Sequence, residues 1–110
     1  MIVGSVVYLR PVAFDLDSGE KLPFTLDQAG GGCGGLSASA SYLFGRGGNP
    51  QMYPIDAGGG NKPLTTVTRS GCWINIIPAG RMVPVPQGSS GCSCPYAVQT
   101  SIGFAPRQSR

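Results

Sequence analysis

Four cysteines are the residues of this chain whose chemistry is easiest to name. They are Cys33, Cys72, Cys92 and Cys94 in 110 residues. So many thiols in so short a chain favour an oxidising compartment and disulfide bonds. Free or mixed thiols and a zinc site are the alternatives, although structural zinc sites usually present two close pairs and only Cys92 and Cys94 are close here.

Two of the three connectivities that four cysteines allow are favoured. In both, Cys72 pairs with Cys92 or Cys94, and Cys33 takes the cysteine that remains. A hairpin after Cys72 would bring that residue to the end where Cys92 lies, within the roughly 7 Å that a disulfide requires. A loop of about 20 residues closed in this way would contribute roughly 3 kcal/mol. A redox-active Cys92-Ser93-Cys94 is the functional alternative, but no Lys, Arg or His lies near it in sequence to favour a thiolate.

Trp73 and Asn75 are the candidates for contact with a cofactor. A Trp ring can stack on a flat cofactor, but Trp73 alternates with apolar positions, which predicts a core side chain beside a cysteine bridge. Asn75 stands among apolar residues, where a buried amide that bonds the backbone is favoured over a ligand.

Acid–base and metal chemistry have little support in this sequence. Histidine is absent, which excludes Ser-His-Asp and Cys-His triads, and we predict no catalytic residue. Asp15 and Asp17 flank the turn Asp17-Ser18-Gly19 and have the oxygen atoms that calcium prefers. Capping of the turn backbone is the favoured role, so we predict no metal site.

Charge and hydropathy limit the partners of the chain. The net charge is +3, and the eight basic residues are scattered rather than clustered, so nucleic-acid binding is not expected. No segment reaches the roughly 18 apolar residues of a membrane span. The first nine residues read as a strand rather than a signal peptide, which suggests that Met1 is an internal or truncated start.

The elements that must position these residues are short strands. Gly and Pro account for 18 and 10 residues, while 41% of the chain is hydrophobic and 12% charged; this is typical of a loop-rich β protein rather than a disordered one. Apolar runs bounded by turn residues predict strands. The predicted strands are Ile2–Leu9, Val12–Leu16, Lys21–Leu26, Leu36–Ala40, Tyr42–Arg46, Met52–Asp56, Thr65–Arg69, Cys72–Ile77, Arg81–Val85 and Ala97–Ala105.

An internal repeat suggests how these strands are organised. Gly32-Cys33-Gly34 and Gly71-Cys72-Trp73 are 39 residues apart, and each precedes a strand, a tight turn and a second strand. A period near 40 residues is typical of a four-stranded propeller blade. We therefore predict an all-β fold, a partial β-propeller with about two four-stranded antiparallel blades and remnants of a third. Its single domain, 1–110, would divide into 1–31, 32–70 and 71–110.

A resemblance to a known family adds to the prediction of a partial propeller. The segment Val7-Tyr8-Leu9 followed by Ala13-Phe14-Asp15-Leu16-Asp17-Ser18-Gly19-Glu20-Lys21 resembles a quinoprotein-type repeat, with Ser18 where Thr is usual. Together with Gly71-Cys72-Trp73 and Gly91-Cys92-Ser93-Cys94, it makes the chain similar to the C-terminal blades of quinoprotein-like (PQQ-repeat) β-propeller proteins of the planctomycete type. The resemblance implies a propeller fold, a periplasmic or extracellular location, and kinship to pyrroloquinoline quinone (PQQ) dehydrogenases that use calcium.

The expected function is a non-catalytic β-repeat interaction or scaffold segment of an exported quinoprotein-like propeller. Its partners would be the remaining blades of the parent propeller or further copies of itself, and the chain alone would hold no cofactor. The first alternative is part of a PQQ-dependent dehydrogenase that oxidises small alcohols or sugars, with the cofactor performing the chemistry. The second is a self-contained, secreted β domain stabilised by disulfides.

Overall fold

Antiparallel sheets make up the computed structural model, which describes residues 1–26, 33–73, 75–87 and 100–108. These residues form ten strands and no helix, so none of their segments is a helix able to cross a membrane. The all-β class is confirmed, and two four-stranded antiparallel sheets accompany a smaller third one. Their placement differs from the prediction, because the segment 1–31 holds a full four-stranded sheet while the described residues of 71–110 form only two strands. Sheet 1 contains β1 (Ile2–Val3), β2 (Val6–Leu9), β3 (Val12–Asp15) and β4 (Lys21–Thr25); sheet 2 contains β5 (Ser37–Ala38), β6 (Tyr42–Arg46), β7 (Pro50–Pro54) and β8 (Lys62–Pro63); sheet 3 contains β9 (Val83–Val85) and β10 (Ile102–Phe104).

Sheets 1 and 2 are meanders in which each strand pairs with the next one along the chain. The prediction of one strand over Ile2–Leu9 is wrong, because the chain reverses at Gly4 and Ser5 and pairs Val3 with Val6. Gly4 has a φ of +57°, which a residue without a Cβ adopts readily at a two-residue hairpin turn. Residues 1–26 thus form a complete four-stranded sheet.

The three sheets stack as layers, with sheet 2 in the middle. One apolar cluster lies between sheets 1 and 2 and includes Tyr8, Phe24, Leu43 and Tyr53. The rings of Tyr8 and Phe24 meet edge to face, with centroids 5.0 Å apart. On the opposite face of sheet 2, Phe44 packs with the cluster that contains Val85 of β9. Because successive side chains of a strand point to opposite faces, β6 contributes Leu43 to one interface and Phe44 to the other.

The predicted strand Cys72–Ile77 is wrong for its described residues, which are irregular. This segment nevertheless runs beside β9, since the Gly71 N–H donates to the Pro86 carbonyl at 3.2 Å and the Ile77 N–H to the Pro84 carbonyl at 2.9 Å. Proline has no N–H, so neither Pro84 nor Pro86 can return the second bond of an antiparallel pair. The hydrogen-bond ladder between this segment and the chain around β9 therefore remains incomplete.

The predicted strand Thr65–Arg69 is also wrong, because a local turn replaces the ladder. The Val67 N–H donates to the Thr65 hydroxyl at 3.3 Å, a side-chain bond that competes with extended pairing. Val67 is 64% exposed, whereas Thr68, Arg69 and Ser70 are buried. These buried polar side chains therefore belong to an irregular segment that connects sheets 2 and 3.

Candidate functional site

The two residues proposed for a cofactor lie in different surroundings. Trp73 is 77% exposed, so the prediction of a core tryptophan is wrong. Asn75 is buried, and its Nδ2 donates to the Cys33 carbonyl at 3.5 Å. The Asn75 amide thus links the segment after β8 to the segment before β5, in the backbone-bonding role that the sequence favoured.

No disulfide joins Cys33 to Cys72, the two cysteines that the structure describes. Cys33 is exposed, and the Cys72 sulfur accepts a hydrogen bond from Arg46 Nη1 at 3.2 Å. Cys92 and Cys94 lie outside the described residues, and so do their predicted pairings with Cys72 and Cys33. The Arg46 contact was missed in the sequence because 26 residues separate the partners.

Cys72 and Asn75 also enclose Gly34, the glycine after Cys33. A Cβ on Gly34 would meet the Cys72 carbonyl oxygen and lie 2.6 Å from Asn75 Nδ2. The Gly-Cys repeat motifs therefore meet in space, with the backbone of the first against the second. Tight packing with a buried amide and a buried arginine indicates a structural junction rather than an open site.

The turn after β3 is capped by Asp15. Its Oδ1 accepts from the Ser18 N–H and Ser18 hydroxyl, each at 2.8 Å, and from the Asp17 N–H at 3.1 Å. These bonds, the Ser18 N–H first, lower the pKa of the Asp15 carboxyl below its ordinary value. Within the described ranges, no group of three or more His, Cys, Asp or Glu side chains could hold a metal. The capping role predicted for this turn is what the geometry shows.

Asp15→Asn is expected to lower the thermal unfolding midpoint slightly and to flatten its dependence on acid. Because the pKa of Asp15 is lowered by folding, its contribution is present above the ordinary carboxyl pKa and is lost as pH falls through the folded value. Melting curves from pH 7 to pH 2.5 would measure this. Asp17→Asn is the matched control, since Asp17 takes part in this turn through its backbone N–H, which the substitution keeps. Equal acid profiles for the two variants would contradict the capping role of the Asp15 carboxylate.

An open concavity lies where sheets 2 and 3 diverge. It has a volume of about 670 Å³, within the range of small-molecule sites. Phe44, Met52 and Leu64 line one side, and Met82, Val83 and Phe104 line the other. Sequence reasoning missed this groove, because its walls come from segments up to 60 residues apart in the chain and each residue alone is typical of a core position.

Arg81 stands at the mouth of this groove in an unusual backbone conformation. Its φ is +64°, and it is the one described residue other than glycine with a positive φ. Gly80 has a φ of +58°, and Ala79 and Met82 exchange two backbone hydrogen bonds of 2.9 Å across the pair. Two central residues with positive φ define a type I′ hairpin turn. The sequence signal was present in Pro78-Ala79-Gly80, which predicted a turn but not its partner Arg81.

Comparisons of the chain with protein-family models, with curated proteins and with solved structures yield no match.

Proposed function

We propose that this chain is a non-catalytic scaffold module that works by stacking β-sheets face to face, as successive blades of a propeller do. Two observations support the stacking mode. Consecutive four-stranded meanders pack on one another, and sheet 2 is covered on both faces. A blade buries its faces only against neighbouring blades, which is the relation that sheet 2 has to sheets 1 and 3.

The observation that carries the proposal is the outer face of sheet 1. Tyr8 and Ala13 point into the core, so their neighbours Val7, Leu9 and Phe14 point the other way. The pairings Ile2 with Val7 and Val7 with Phe14 place these three side chains in one apolar row, which ends at Lys21 of β4. Leu9 lies on the same face as Val7. Ile2 and Leu9 are 57% and 54% exposed. Contiguous apolar surface of this kind marks an interaction site.

The partner that fits this face is another β-sheet with an apolar face. Sheet 2 supplies the precedent within the chain, because it offers Leu43 and Tyr53 to sheet 1 in the same layered arrangement. The partner sheet would come from further blades of a propeller or from a second copy of the chain. Membership of an exported, quinoprotein-like propeller extends this proposal and depends on the sequence motifs alone.

The quinone-dependent dehydrogenase is the rival proposal, and the site geometry does not favour it. Trp73 points to solvent, whereas Asn75 is enclosed, so the two residues offer no common wall to a cofactor. Titration of PQQ with calcium while Trp73 fluorescence is followed would test it. Quenching of Trp73 fluorescence that saturates with PQQ concentration would contradict the scaffold proposal. Quenching that does not saturate would support the scaffold proposal.

Leu9→Lys is expected to reduce self-association of the chain without unfolding it, because the side chain is exposed but belongs to the apolar face of sheet 1. Size-exclusion chromatography with light scattering on the full chain would measure this. We expect the unmodified chain to form a discrete oligomer and the variant to shift toward the monomer mass of 11.3 kDa.

Val67→Lys is the matched control, since Val67 is 64% exposed and lies outside sheet 1. Retention of the oligomer by Val67→Lys and its loss in Leu9→Lys would support the proposal. A monomeric unmodified chain, or equal effects of the two substitutions, would contradict it.

A further inference from the structure

The groove between sheets 2 and 3 combines an apolar interior with a cationic rim. Its inner wall is formed by Phe44, Met52, Leu64 and Phe104, all of which carry only carbon and sulfur in their side chains. Methionine adapts its shape to different ligands because it is unbranched and polarizable. Such a wall suits a flexible hydrocarbon chain better than a ligand with many hydrogen-bonding groups.

The charge at the rim is of one sign. Arg81 borders both the groove and an adjoining cleft that Arg107 and Gln108 also line. No acidic side chain is among the described residues that line either concavity. Arg81 at the groove, with Arg107 in the cleft that adjoins it, complements a ligand with a negatively charged head and an apolar body.

The backbone at Arg81 is an independent observation that points to the same end of the groove. The second central position of a type I′ turn favours Gly or Asn, and an arginine there adopts a conformation that L-residues avoid. Residues held in such conformations are found preferentially at ligand clamps and other functional sites. The turn places Arg81, an exposed residue, in the lining of both the groove and the adjoining cleft.

We propose that this groove binds a monomeric long-chain carboxylate, with its hydrocarbon chain between sheets 2 and 3 and its carboxylate on Arg81 and Arg107. The guanidinium of Arg81 can bind a carboxylate through two parallel N–H···O bonds. Burial of the hydrocarbon chain supplies the affinity, and the arginines set the orientation of the ligand. This inference goes beyond the scaffold proposal and does not depend on it, since the groove lies on the side of sheet 2 opposite to sheet 1.

Calorimetric titration of the full chain with dodecanoate, below the concentration at which it forms micelles, would test the proposal. We expect saturable binding with one site per chain. Dodecanol has the same chain without the charge, and acetate has the charge without the chain; each should bind at least about tenfold more weakly, as expected when a charged hydrogen bond or the apolar burial is lost. Equal binding of dodecanol, or no saturation with dodecanoate, would overturn the proposal.

Arg81→Gly separates a ligand-binding role from a structural one, because it predicts opposite changes in two measurements. Glycine fits the positive φ of this position, so the melting temperature should rise by a few degrees. The affinity for dodecanoate should fall about tenfold, while Arg81→Lys, which keeps the charge but not the paired N–H donors, should lose less. Lys21→Gln, which removes an exposed cation from sheet 1, is the matched control and should leave the affinity unchanged. An unchanged affinity in Arg81→Gly, or an equal loss in Lys21→Gln, would overturn the proposal.

Discussion

Gly59→Ala is expected to lower the free energy of unfolding by about 3 kcal/mol, which is a large part of the stability of a small domain. Gly59 is buried and has a φ of +101°. A Cβ there would collide with the carbonyl oxygen of Thr25 in β4. Because the obstacle is backbone rather than the end of a flexible side chain, relief requires a strand to move. Urea unfolding followed by far-UV circular dichroism would measure the loss.

The position matters because it joins the first two layers of the molecule. Gly59 follows β7 of sheet 2 and forms a parallel bridge with Thr25 of sheet 1. The Thr25 N–H also donates to the Gly58 carbonyl at 3.3 Å. The substitution therefore acts on the edge where sheet 1 meets sheet 2, and protection of the Thr25 amide from hydrogen exchange should fall with the stability.

Gly60→Ala is the matched control for this prediction. Gly60 also has a positive φ, +76°, but a Cβ there would meet nothing within 4 Å. It should therefore carry the conformational penalty alone, about 1 kcal/mol. If the two variants unfold at the same urea concentration, the close approach of Gly59 to β4 is not a determinant of stability.

Much of the first sheet and the centre of the second follow from local patterns in the sequence. Predicted strands agree with β3, β4 and β6 to within one residue at each end, because alternating apolar residues and flanking turn residues determine them locally. The hairpin at Gly4 was missed, since Val3 and Val6 continue the apolar run on both sides of it. An isolated glycine in such a run permits a turn, but only the pairing of Val3 with Val6 reveals it.

The predicted strands Arg81–Val85 and Ala97–Ala105 contain both strands of the third sheet, but the segment beside β9 could not be predicted from the same patterns, because tertiary contacts replace local ones there. Asn75 and Ile76 have the burial of strand residues without a ladder, since Pro84 and Pro86 in the neighbouring segment lack donors. Trp73 illustrates the opposite error: its apolar neighbours favoured the core, yet it is exposed. Apolar periodicity identifies buried segments well, but it does not show whether a partner can complete the hydrogen bonds.

The candidate groove was the least predictable feature, because its residues are informative only together. In the sequence alone, Met52 and Phe104 are predicted as ordinary strand residues, and Arg81 is predicted as a polar residue after a turn. The one local signal was Gly80 followed by a residue that type I′ turns disfavour. That signal becomes meaningful once the structure places Arg81 at the end of an apolar groove.

Leu43→Ala and Phe44→Ala are expected to destabilise the chain by about 3 and 4 kcal/mol respectively, although they are adjacent in sequence. Leu43 is 0% exposed and Phe44 is 2% exposed, and each truncation leaves a cavity between layers. Large losses at two successive strand positions are expected only where a sheet is covered on both faces, because a half-exposed sheet alternates buried and exposed side chains. Leu16→Ala, at a position that is 48% exposed, is the matched control and should change stability by less than about 0.5 kcal/mol.

The number of unfolding transitions distinguishes a single stack from two independent parts. Leu43 contacts the layer that contains Tyr8, whereas Phe44 contacts the layer that contains Val85. If sheet 2 couples both layers, either truncation should shift one common transition to lower denaturant concentration. Circular dichroism and amide hydrogen exchange are the suitable probes, since Trp73 is already exposed in the folded chain and its fluorescence should change little. Separate transitions in Phe44→Ala, with sheet 1 unaffected, would show that sheet 3 is an independent unit and that stacking does not extend through sheet 2.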